Sequence, residues 1–411
     1  MDRDQFLDES VYDEDRLERH LWRQRRRTGL SRRHLLRLLV GAAGAAAVGA
    51  VPWMARAACE RGGVVKPTPT DLFRIHGTNR EMLWEAMRGR GYAVPNELFF
   101  VRNHTCTARI DAATWRLRVE GAAVRRPFQL GYDELVAMGA VTVTKAIECA
   151  GNGRDFFGTQ QGTPAAGTQW RLGAIGVAQW TGVPLRKVLE RAGLGKAAVD
   201  VMPEGLDDEV ADQGHVRRPL PIEKALRSDT LLVYAMNGQP LSPDHGAPVR
   251  LLVPGWAGIA SIKWVGRIEV ASEPLFSPWN TVMYRLVGDA YPSSPLVTSQ
   301  VVKSAFELPF PATLAAGPQV LQGRAWSGRG KIARVDVSFD GGARWQRARL
   351  IAPNLAEAWV RWSIPWNAKP GSYVLMARAR DVRGEAQPAT VPFNTQGYFF
   401  GALVKHPVTV A

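Results

Sequence analysis

The sequence predicts an α+β fold, in which a mixed α/β domain is followed by a smaller antiparallel β-sandwich. The chain has 411 residues, of which 46% are apolar, so two or three domains can each bury a core. Strand and helix patterns alternate between residues 115 and 255. From about residue 295 the pattern changes to short strands separated by turn residues.

The mixed domain is predicted from the periodicity of its segments. Residues 115–119 alternate apolar and charged side chains, as a half-buried strand does. The β-branched run at 141–147 ends at a glycine-bearing loop, and sites are often built at such strand ends. Residues 184–192 have helical spacing between a proline and a glycine. A strand at 230–236 meets an Asn-Gly hairpin turn before another strand at 248–255.

The β-sandwich is predicted from the last part of the chain. Residues 333–350 form a strand, a tight Asp-Gly-Gly turn and a second strand, and further strands follow at 359–366 and 372–381. Upstream of both domains, helical spacing around residues 80–88 predicts one helix in an otherwise irregular segment.

Charge and cysteine usage exclude several classes of protein. Lys and Arg number 52 against 38 Asp and Glu, a net charge of +14. The body lacks a run of five basic residues and any aromatic–basic stacking motif, so no nucleic-acid partner is expected. The cysteines are Cys59, Cys106 and Cys149. Their spacing argues against zinc, c-type haem and a thioredoxin-like site, and three cysteines do not suggest a disulfide framework.

The first 57 residues have the pattern of an export signal. Arg32-Arg33, between Ser31 and a leucine pair, resembles the twin-arginine signal. The uncharged run 38–54 and the Ala-Arg-Ala sequence at 55–57 complete a cleavable leader, with a loose membrane anchor as the alternative. The twin-arginine machinery exports folded proteins, so the protein is expected to be periplasmic or otherwise extracytoplasmic and to carry a complex cofactor.

Three clusters of side chains have the chemistry of a site. Cys149 ends a strand beside a permissive loop, and a lone thiolate suits a transition metal whose other ligands are not protein. Arg102 and His104 face one side of an extended segment and can bind an oxyanion. Residues 244–250 and Lys263 can hold a phosphate. Taken singly, each cluster has a plain structural alternative, namely core packing, an ion pair or surface solvation.

Together these segments resemble the sulfite oxidase family of molybdopterin enzymes. The resemblance covers about residues 95–405 and rests on motifs that occur in the family's order and at similar spacing. These are FFVRNH, ECAGNGR, WRLGAIGVAQWTGVPL, the MNGQPL turn, DHGAPVRLLVPG and IKW. It implies a molybdopterin-binding domain followed by an immunoglobulin-like domain that dimerises. The predicted boundaries are export signal 1–57, connecting segment 58–95, molybdopterin-binding domain 96–290 and dimerisation domain 295–411.

The resemblance also implies roles for individual residues. Cys149 matches the thiolate that ligates molybdenum beside the dithiolene of one pyranopterin. Arg102 and His104 match the basic pair of the substrate pocket, and Tyr284 matches the active-site tyrosine through the spacing Trp279-x-x-x-x-Tyr284. The positions implied to hold the cofactor are Phe100, Val101, Arg102, Asn103, His104, Cys149, Asp207, His245, Arg250, Ser261, Ile262 and Lys263.

The implied activity is oxygen-atom transfer by an exported molybdenum-cofactor oxidoreductase, with sulfite or a related small sulfur compound as the favoured substrate. No haem or flavin motif is found, so electrons are expected to pass to an external acceptor such as a c-type cytochrome. One position departs from the pattern, because Gln396 stands where sulfite-oxidising members carry an arginine. A charged hydrogen bond contributes about 1.5–3 kcal/mol, so the loss of that cation bears on the substrate.

Three alternative functions remain open. The first keeps the cofactor but reduces a sulfoxide or other oxo substrate, although that branch typically lacks the second domain. The second is a cysteine hydrolase that uses Cys149 with His104 or His245. The third is a non-catalytic binding protein built on the sandwich.

Overall fold

The computed structural model describes residues 9–29, 59 and 63–411. The Arg32-Arg33 pair, the apolar run 38–54 and the cleavage site at 55–57 lie outside these residues. Over the part of the chain that is described, no helix is both long enough and apolar enough to cross a bilayer.

Helices occupy little of the described chain. The α-helices are α1 (Glu9–Thr28), α2 (Tyr132–Val136), α3 (Asp155–Thr159), α4 (Leu185–Arg191), α5 (Ile222–Ala225) and α6 (Pro278–Thr281). Single 3₁₀ turns lie at Trp84–Met87, Pro243–His245 and Gly258–Ala260. The helix expected at 184–192 is confirmed as α4, which buries Leu185, Val188 and Leu189.

The sequence did not predict α1, which packs against the body of the protein. Arg16 is buried and its Nε lies 3.3 Å from a carboxylate oxygen of Asp200. Asp13 pairs with Arg285 at 3.0 Å. The segment that precedes the twin-arginine pair is therefore joined to the first domain by ion pairs.

The first domain contains twelve strands within the described residues. They are β1 (Phe73–His76), β2 (Asn79–Met82), β3 (Arg116–Glu120), β4 (Phe128–Gly131), β5 (Val141–Glu148), β6 (Ile175–Pro184), β7 (Asp200–Gly205), β8 (Leu220–Pro221), β9 (Leu231–Met236), β10 (Gln239–Pro240), β11 (Arg250–Leu252) and β12 (Val265–Ala271). One five-stranded sheet has the order β10-β9-β6-β5 with β11 beside β9, and another has the order β4-β3-β12-β7-β8. The strands predicted at 115–119, 141–147 and 230–236 are confirmed, as is the hairpin after β9.

The helix expected at residues 80–88 is wrong. Strand β2 pairs with β1, and a 3₁₀ turn follows it at Trp84–Met87. The buried Glu81 carboxylate accepts hydrogen bonds from the backbone N–H groups of Arg171 and Gly173, at 2.8 and 3.2 Å. These tertiary contacts hold the segment extended, and they override its local helical spacing.

The second domain is the predicted β-sandwich, with sheets of four and five strands. Its strands are β13 (Lys303–Phe306), β14 (Ala312–Leu314), β15 (Gly317–Trp326), β16 (Ile332–Ser338), β17 (Gln346–Arg347), β18 (Arg349–Ile351), β19 (Trp359–Ala368), β20 (Gly371–Asp381) and β21 (His406–Val410). The orders are β13-β15-β19-β18 and β14-β21-β20-β16-β17, and apolar residues from both sheets form its core.

The two domains pack directly against each other, because one hydrophobic cluster contains buried side chains of both. Trp84 of the first domain packs on Trp326 and Trp359 of the sandwich, with ring centroids 5.7 and 6.1 Å apart. A buried ion pair crosses the same interface, where Lys303 Nζ lies 2.8 Å from Glu148 Oε1. Glu148 also accepts hydrogen bonds from Asn152 and Trp326. The sandwich thus fixes the end of β5, directly before Cys149.

Replacing Lys303 by methionine is expected to lower the free energy of unfolding by about 3–5 kcal/mol, because it leaves the buried Glu148 charge uncompensated. A matched control is Arg118→Met, which breaks a pair whose arginine is 57% exposed and should cost at most about 1 kcal/mol. Denaturant titration of both variants checks this. Equal costs for the two variants would show that the interface pair does not stabilise the fold.

Candidate active site

The site forms where β5 ends against the sandwich. The backbone N–H of Cys149 donates to the carbonyl of Ala174 at 2.9 Å, which anchors the strand end. The chain then turns through Gly151, Asn152 and Gly153 before α3 begins. Cys149 is buried and is a free thiol in the structure. Its side chain lines two adjoining cavities, an inner slot and an outer chamber.

The inner slot has a volume of about 80 Å³. It brings together all but one of the residues predicted to bind a cofactor, namely Phe100, Arg102, Asn103, His104, Cys149, Asp207, His245, Arg250, Ser261, Ile262 and Lys263. The exception is Val101, which is buried and whose backbone forms a bridge with Arg80 instead of facing the slot. Phe99 and Trp264 also line the slot and were not predicted to bind the cofactor. Asp244, the first residue of the segment predicted to hold a phosphate, lines it too.

The slot presents buried polar atoms that lack hydrogen-bond partners among the described residues. Asp207 Oδ1, His245 Nε2 and Arg250 Nε are buried without a hydrogen bond. Since buried polar groups are almost always hydrogen-bonded, these atoms fit a polar ligand in the slot. A pyranopterin with a phosphate offers both ring donors and anionic oxygens, so the donor set fits that group.

The electrostatics of the slot favour an anion. Burial is the main cause that lowers the pKa of His245 and Lys263 well below their ordinary values, and neighbouring cations lower both further. Burial also lowers the pKa of Arg250 to about 9 and raises that of Asp207 to about 6. A phosphate among these groups would compensate the crowded positive charge.

The outer chamber has a volume of about 520 Å³ and adjoins the slot. Arg102, His104, Cys149 and Tyr284, the predicted catalytic residues, line both cavities. They therefore stand at the junction of the two cavities, although their catalytic roles remain predictions. An acidic loop, residues 208–213, also lines the chamber. In sequence it lies far from Arg102 and His104.

His104 and Tyr284 form a hydrogen-bonded pair. His104 Nε2 lies 3.0 Å from Tyr284 Oη, and the imidazole packs edge-on against Trp279 with centroids 4.4 Å apart. Burial, reinforced by the charges of Arg102 and Lys263, lowers the pKa of His104 well below its usual value. Burial raises the pKa of Tyr284. Both groups are therefore neutral near pH 7. The hydrogen bond between them contains one proton, which belongs either to the Tyr284 hydroxyl or to His104 Nε2, and the other atom accepts it.

Arg154 is a chamber residue that the sequence analysis did not include in the site. Its Nε donates to the carbonyl of Gln396 and its Nη1 to that of Thr168, each at 2.8 Å. A Cβ on Gly151 or Gly397 would come within 2.7 Å of the Arg154 side chain, so only glycine leaves room for it. These contacts hold the guanidinium at the chamber wall. Its position five residues after Cys149 was a signal that could have found it.

The C-terminal segment contributes Tyr398, but not Gln396, to the wall of the chamber. Tyr398 is stacked on Tyr284, with centroids 5.1 Å apart and planes within 8°, and Arg154 lies 5.3 Å over its ring. The Gln396 amide instead donates to the carbonyl of Val282 at 3.2 Å, and Gln396 does not line the chamber. Gln396, the residue that replaces the family's arginine, therefore faces away from the chamber, and Tyr398 faces it instead.

Cys59 and Cys106 form a disulfide, with Cα atoms 5.7 Å apart. Three cysteines did not suggest a disulfide framework, and this single bond was not predicted. The fold brings together two residues that are 47 apart in sequence, and their spacing alone does not predict such a pair. Both cysteines line the outer chamber.

Over the described residues, no group of three or more His, Cys, Asp or Glu side chains is arranged to hold a metal ion. The interpretation of Cys149 as a lone thiolate ligand stays a prediction.

Comparison with known proteins identifies both domains. Residues 104–279 match the oxidoreductase molybdopterin binding domain, and residues 296–410 match the Mo-co oxidoreductase dimerisation domain. Mitochondrial sulfite oxidase of Homo sapiens is 36% identical over 332 residues, 76% of this chain and 60% of that protein. Sulfite oxidase of Gallus gallus is 36% identical over 73% of this chain and 69% of its own length.

A solved structure and a plant enzyme extend the comparison. The sulfane dehydrogenase SoxCD from Paracoccus pantotrophus superposes with a TM-score of 0.73 and 27% identity, covering 88% of this chain and 97% of that one. Nitrate reductase [NAD(P)H] of Hordeum vulgare is 32% identical over 80% of this chain but only 41% of its own length.

The fold and the cationic slot define a molybdopterin-dependent oxidoreductase that carries a dimerisation domain. The chain belongs to the sulfite oxidase family. It spans 60% of the length of the mammalian sulfite oxidases that it matches.

Proposed function

We propose that this protein is an exported enzyme that oxidises sulfite or a related small sulfur compound by oxygen-atom transfer. The observation that carries the proposal is the junction of the two cavities at Cys149. There the cofactor slot opens directly onto a chamber that presents Arg102, His104 and Arg154. Sulfite is a small anion with a lone pair on sulfur, and the two guanidinium groups of this wall suit it.

The cofactor would be held by Cys149 at one end and by Arg250, Lys263 and His245 at the other. When bound, it supplies a redox centre that transfers an oxygen atom to the substrate and takes up two electrons. The protein's own contribution is charge and position. Arg102 and Arg154 bind and orient the anion, since a guanidinium offers a planar fork of donors.

The His104–Tyr284 pair supplies a proton position next to the anion. Because Tyr284 keeps its proton and His104 stays neutral, the pair has two arrangements: His104 Nε2–H donates to Tyr284 Oη while the hydroxyl donates to an oxygen in the chamber, or the hydroxyl donates to His104 Nε2 and its oxygen accepts from a donor in the chamber. Trp279, buried against His104, excludes water from that side of the pair.

Export and partners belong to the same proposal. The leader pattern of residues 31–57 supports twin-arginine export to the periplasm, and the Cys59–Cys106 disulfide supports it further because disulfides persist in oxidising compartments. The dimerisation domain supports a homodimer. Electrons would pass to an external acceptor such as a c-type cytochrome.

The second candidate is reduction of an oxo substrate with the same cofactor. The similarity to nitrate reductases of Hordeum vulgare, at 32% and 31% identity, favours it. Oxidation of a sulfur compound is preferred because the match covers 60% of the human sulfite oxidase and 97% of the sulfane dehydrogenase, but only 41% of each nitrate reductase.

The test is a steady-state comparison with protein that contains about one molybdenum per chain. Sulfite, thiosulfate and a small persulfide are each assayed for reduction of ferricyanide and of cytochrome c, and a sulfoxide and nitrate are assayed with reduced viologen. The proposal predicts turnover with at least one of the sulfur compounds. Turnover only in the viologen assays would establish the reductase instead.

A substitution at residue 396 tests the reading of the C-terminal wall. Gln396→Arg is expected to leave the KM for the sulfur substrate within about a factor of two, because the side chain at 396 points to Val282 rather than into the chamber. Gln396→Met is the matched control, since it keeps the length without adding charge. A tenfold drop in KM for the arginine variant alone would show that position 396 reaches the substrate.

A further inference from the structure

The segment that carries Arg102 and His104 has little regular structure. Residues 102–107, the anion loop, contain no helix or strand residue. Within the loop, Asn103 donates from its backbone to Asn79 Oδ1 at 2.9 Å and from its amide to Thr107 at 2.8 Å. The loop nevertheless supplies three residues that line the cofactor slot. Its position must therefore be maintained from outside the loop.

Residues 63–66, the strap, lie across the end of the anion loop. The backbone N–H of Thr107 donates to the carbonyl of Gly63 at 2.9 Å. The buried Asp244 carboxylate joins the two segments, because it accepts from Val65 N–H at 2.9 Å, from Lys66 N–H at 2.7 Å and from the Thr107 hydroxyl at 2.6 Å.

The same strap reaches the cofactor slot. Asp244 lines the slot, and its backbone carbonyl accepts from Lys263 Nζ at 2.8 Å. Lys66 Nζ donates to the carbonyl of Glu97 at 2.9 Å and to that of Phe99, beside the slot. Burial lowers the pKa of Lys66 to about 7. The strap thus contacts both the anion loop and two slot-lining positions.

The Cys59–Cys106 disulfide is the covalent connection in this arrangement. Cys106 lies on the anion loop, two residues after His104, and Cys59 Sγ lies within 3.1 Å of the point where a Cβ on Gly63 would stand. Both cysteines are half-buried at the chamber wall. The bond therefore ties Cys59, four residues before the strap, to the end of the anion loop.

We propose that the Cys59–Cys106 disulfide positions the anion loop and retains the cofactor, as a redox-controlled fastening of the strap. With two thiols, the strap and loop are joined only by hydrogen bonds and can separate from the slot, which admits the cofactor. With the bond made, Arg102, Asn103 and His104 are held against the bound cofactor.

The closing step is thiol–disulfide exchange. The thiols of Cys59 and Cys106 lose two protons and two electrons and form one S–S bond, while the disulfide of an external oxidoreductase is reduced to two thiols. Such a partner belongs to an oxidising compartment. The proposal holds whichever sulfur compound is the substrate, because it concerns the cofactor and not the reaction.

Cofactor release is the direct readout. Loaded wild-type protein, Cys59→Ser, Cys106→Ser and the double variant are held at a temperature well below their melting transitions. Molybdenum and fluorescent oxidised pterin are then measured in the ultrafiltrate over time. Variants are used instead of a reductant because thiols and phosphines react with molybdenum centres themselves.

Each single variant is expected to release cofactor roughly tenfold faster than the wild type, since local opening becomes cheaper. The double variant should match the singles, because either change breaks the same bond. Hydrogen exchange should rise at residues 63–66 and 102–107 and stay unchanged in the sandwich.

Three results would overturn the proposal. Release within twofold of the wild type in both single variants would show that the bond does not retain the cofactor. An effect of Cys106→Ser without an equal effect of Cys59→Ser would assign the change to the chamber wall rather than the bond. Hydrogen exchange that rises throughout the chain would show that the bond stabilises the whole fold. That result would also contradict a local fastening.

Discussion

Replacing Cys149 by serine is expected to abolish turnover, by on the order of a thousandfold or more, equivalent to about 4 kcal/mol of activation free energy. Serine keeps the size of the side chain but removes the soft thiolate that suits a transition metal. Cys149 is the free cysteine at the junction of the slot and the chamber, so no neighbouring thiol replaces it.

The measurement pairs activity with X-ray absorption at the molybdenum edge. The wild type should show one more sulfur ligand than Cys149→Ser, while the pterin content of the two stays similar because Arg250, Lys263 and His245 are unchanged. Cys59→Ser serves as the cysteine control and should keep the full sulfur count. A Cys149→Ser protein with a tenth of wild-type turnover, or with an unchanged sulfur count, would refute the assignment of Cys149 as the metal ligand.

Replacing Arg154 by lysine is expected to lower kcat/KM roughly ten- to hundredfold, because one charged hydrogen bond is worth about 1.5–3 kcal/mol. Lysine keeps the charge, but it cannot donate to the carbonyls of Gln396 and Thr168 and to a bound anion with one planar group. The loss should appear mainly in KM for an anionic substrate.

Arg171→Lys is the matched control for Arg154→Lys. Arg171 pairs with Asp155 at 3.0 Å near α3, is about one-third exposed and does not line the chamber. Steady-state kinetics of both variants, with melting temperatures measured alongside, separates a binding role from a folding role. Equal kinetic effects for the two variants would remove Arg154 from the substrate site.

The predictable part of the site came from motifs that are continuous in sequence. Cys149 was singled out because a β-branched run stops at a glycine-bearing loop, and Arg102 and His104 because two chemically active residues stand two apart among aromatic neighbours. Their predicted roles came only from the resemblance to the sulfite oxidase family. The fold class was predictable because strand periodicity and turn residues are local signals.

The remaining part depends on contacts between distant segments. Tyr398 stacks on Tyr284 across 114 positions of sequence, and the Cys59–Cys106 bond crosses 47. The strand at residues 79–82 replaced the expected helix because Glu81 satisfies backbone groups 90 and 92 residues further on. The orientation of Gln396 away from the chamber is likewise set by Val282, which no local pattern connects to it.

The most direct test of the whole account is the position of the metal. A crystal of loaded protein, measured on both sides of the molybdenum absorption edge, locates that atom independently of any assumption about the reaction. The account predicts one anomalous peak per chain within bonding distance of Cys149 Sγ, at the junction of slot and chamber, with phosphate density beside Arg250 and Lys263. A peak away from Cys149 in protein shown to contain molybdenum would contradict it.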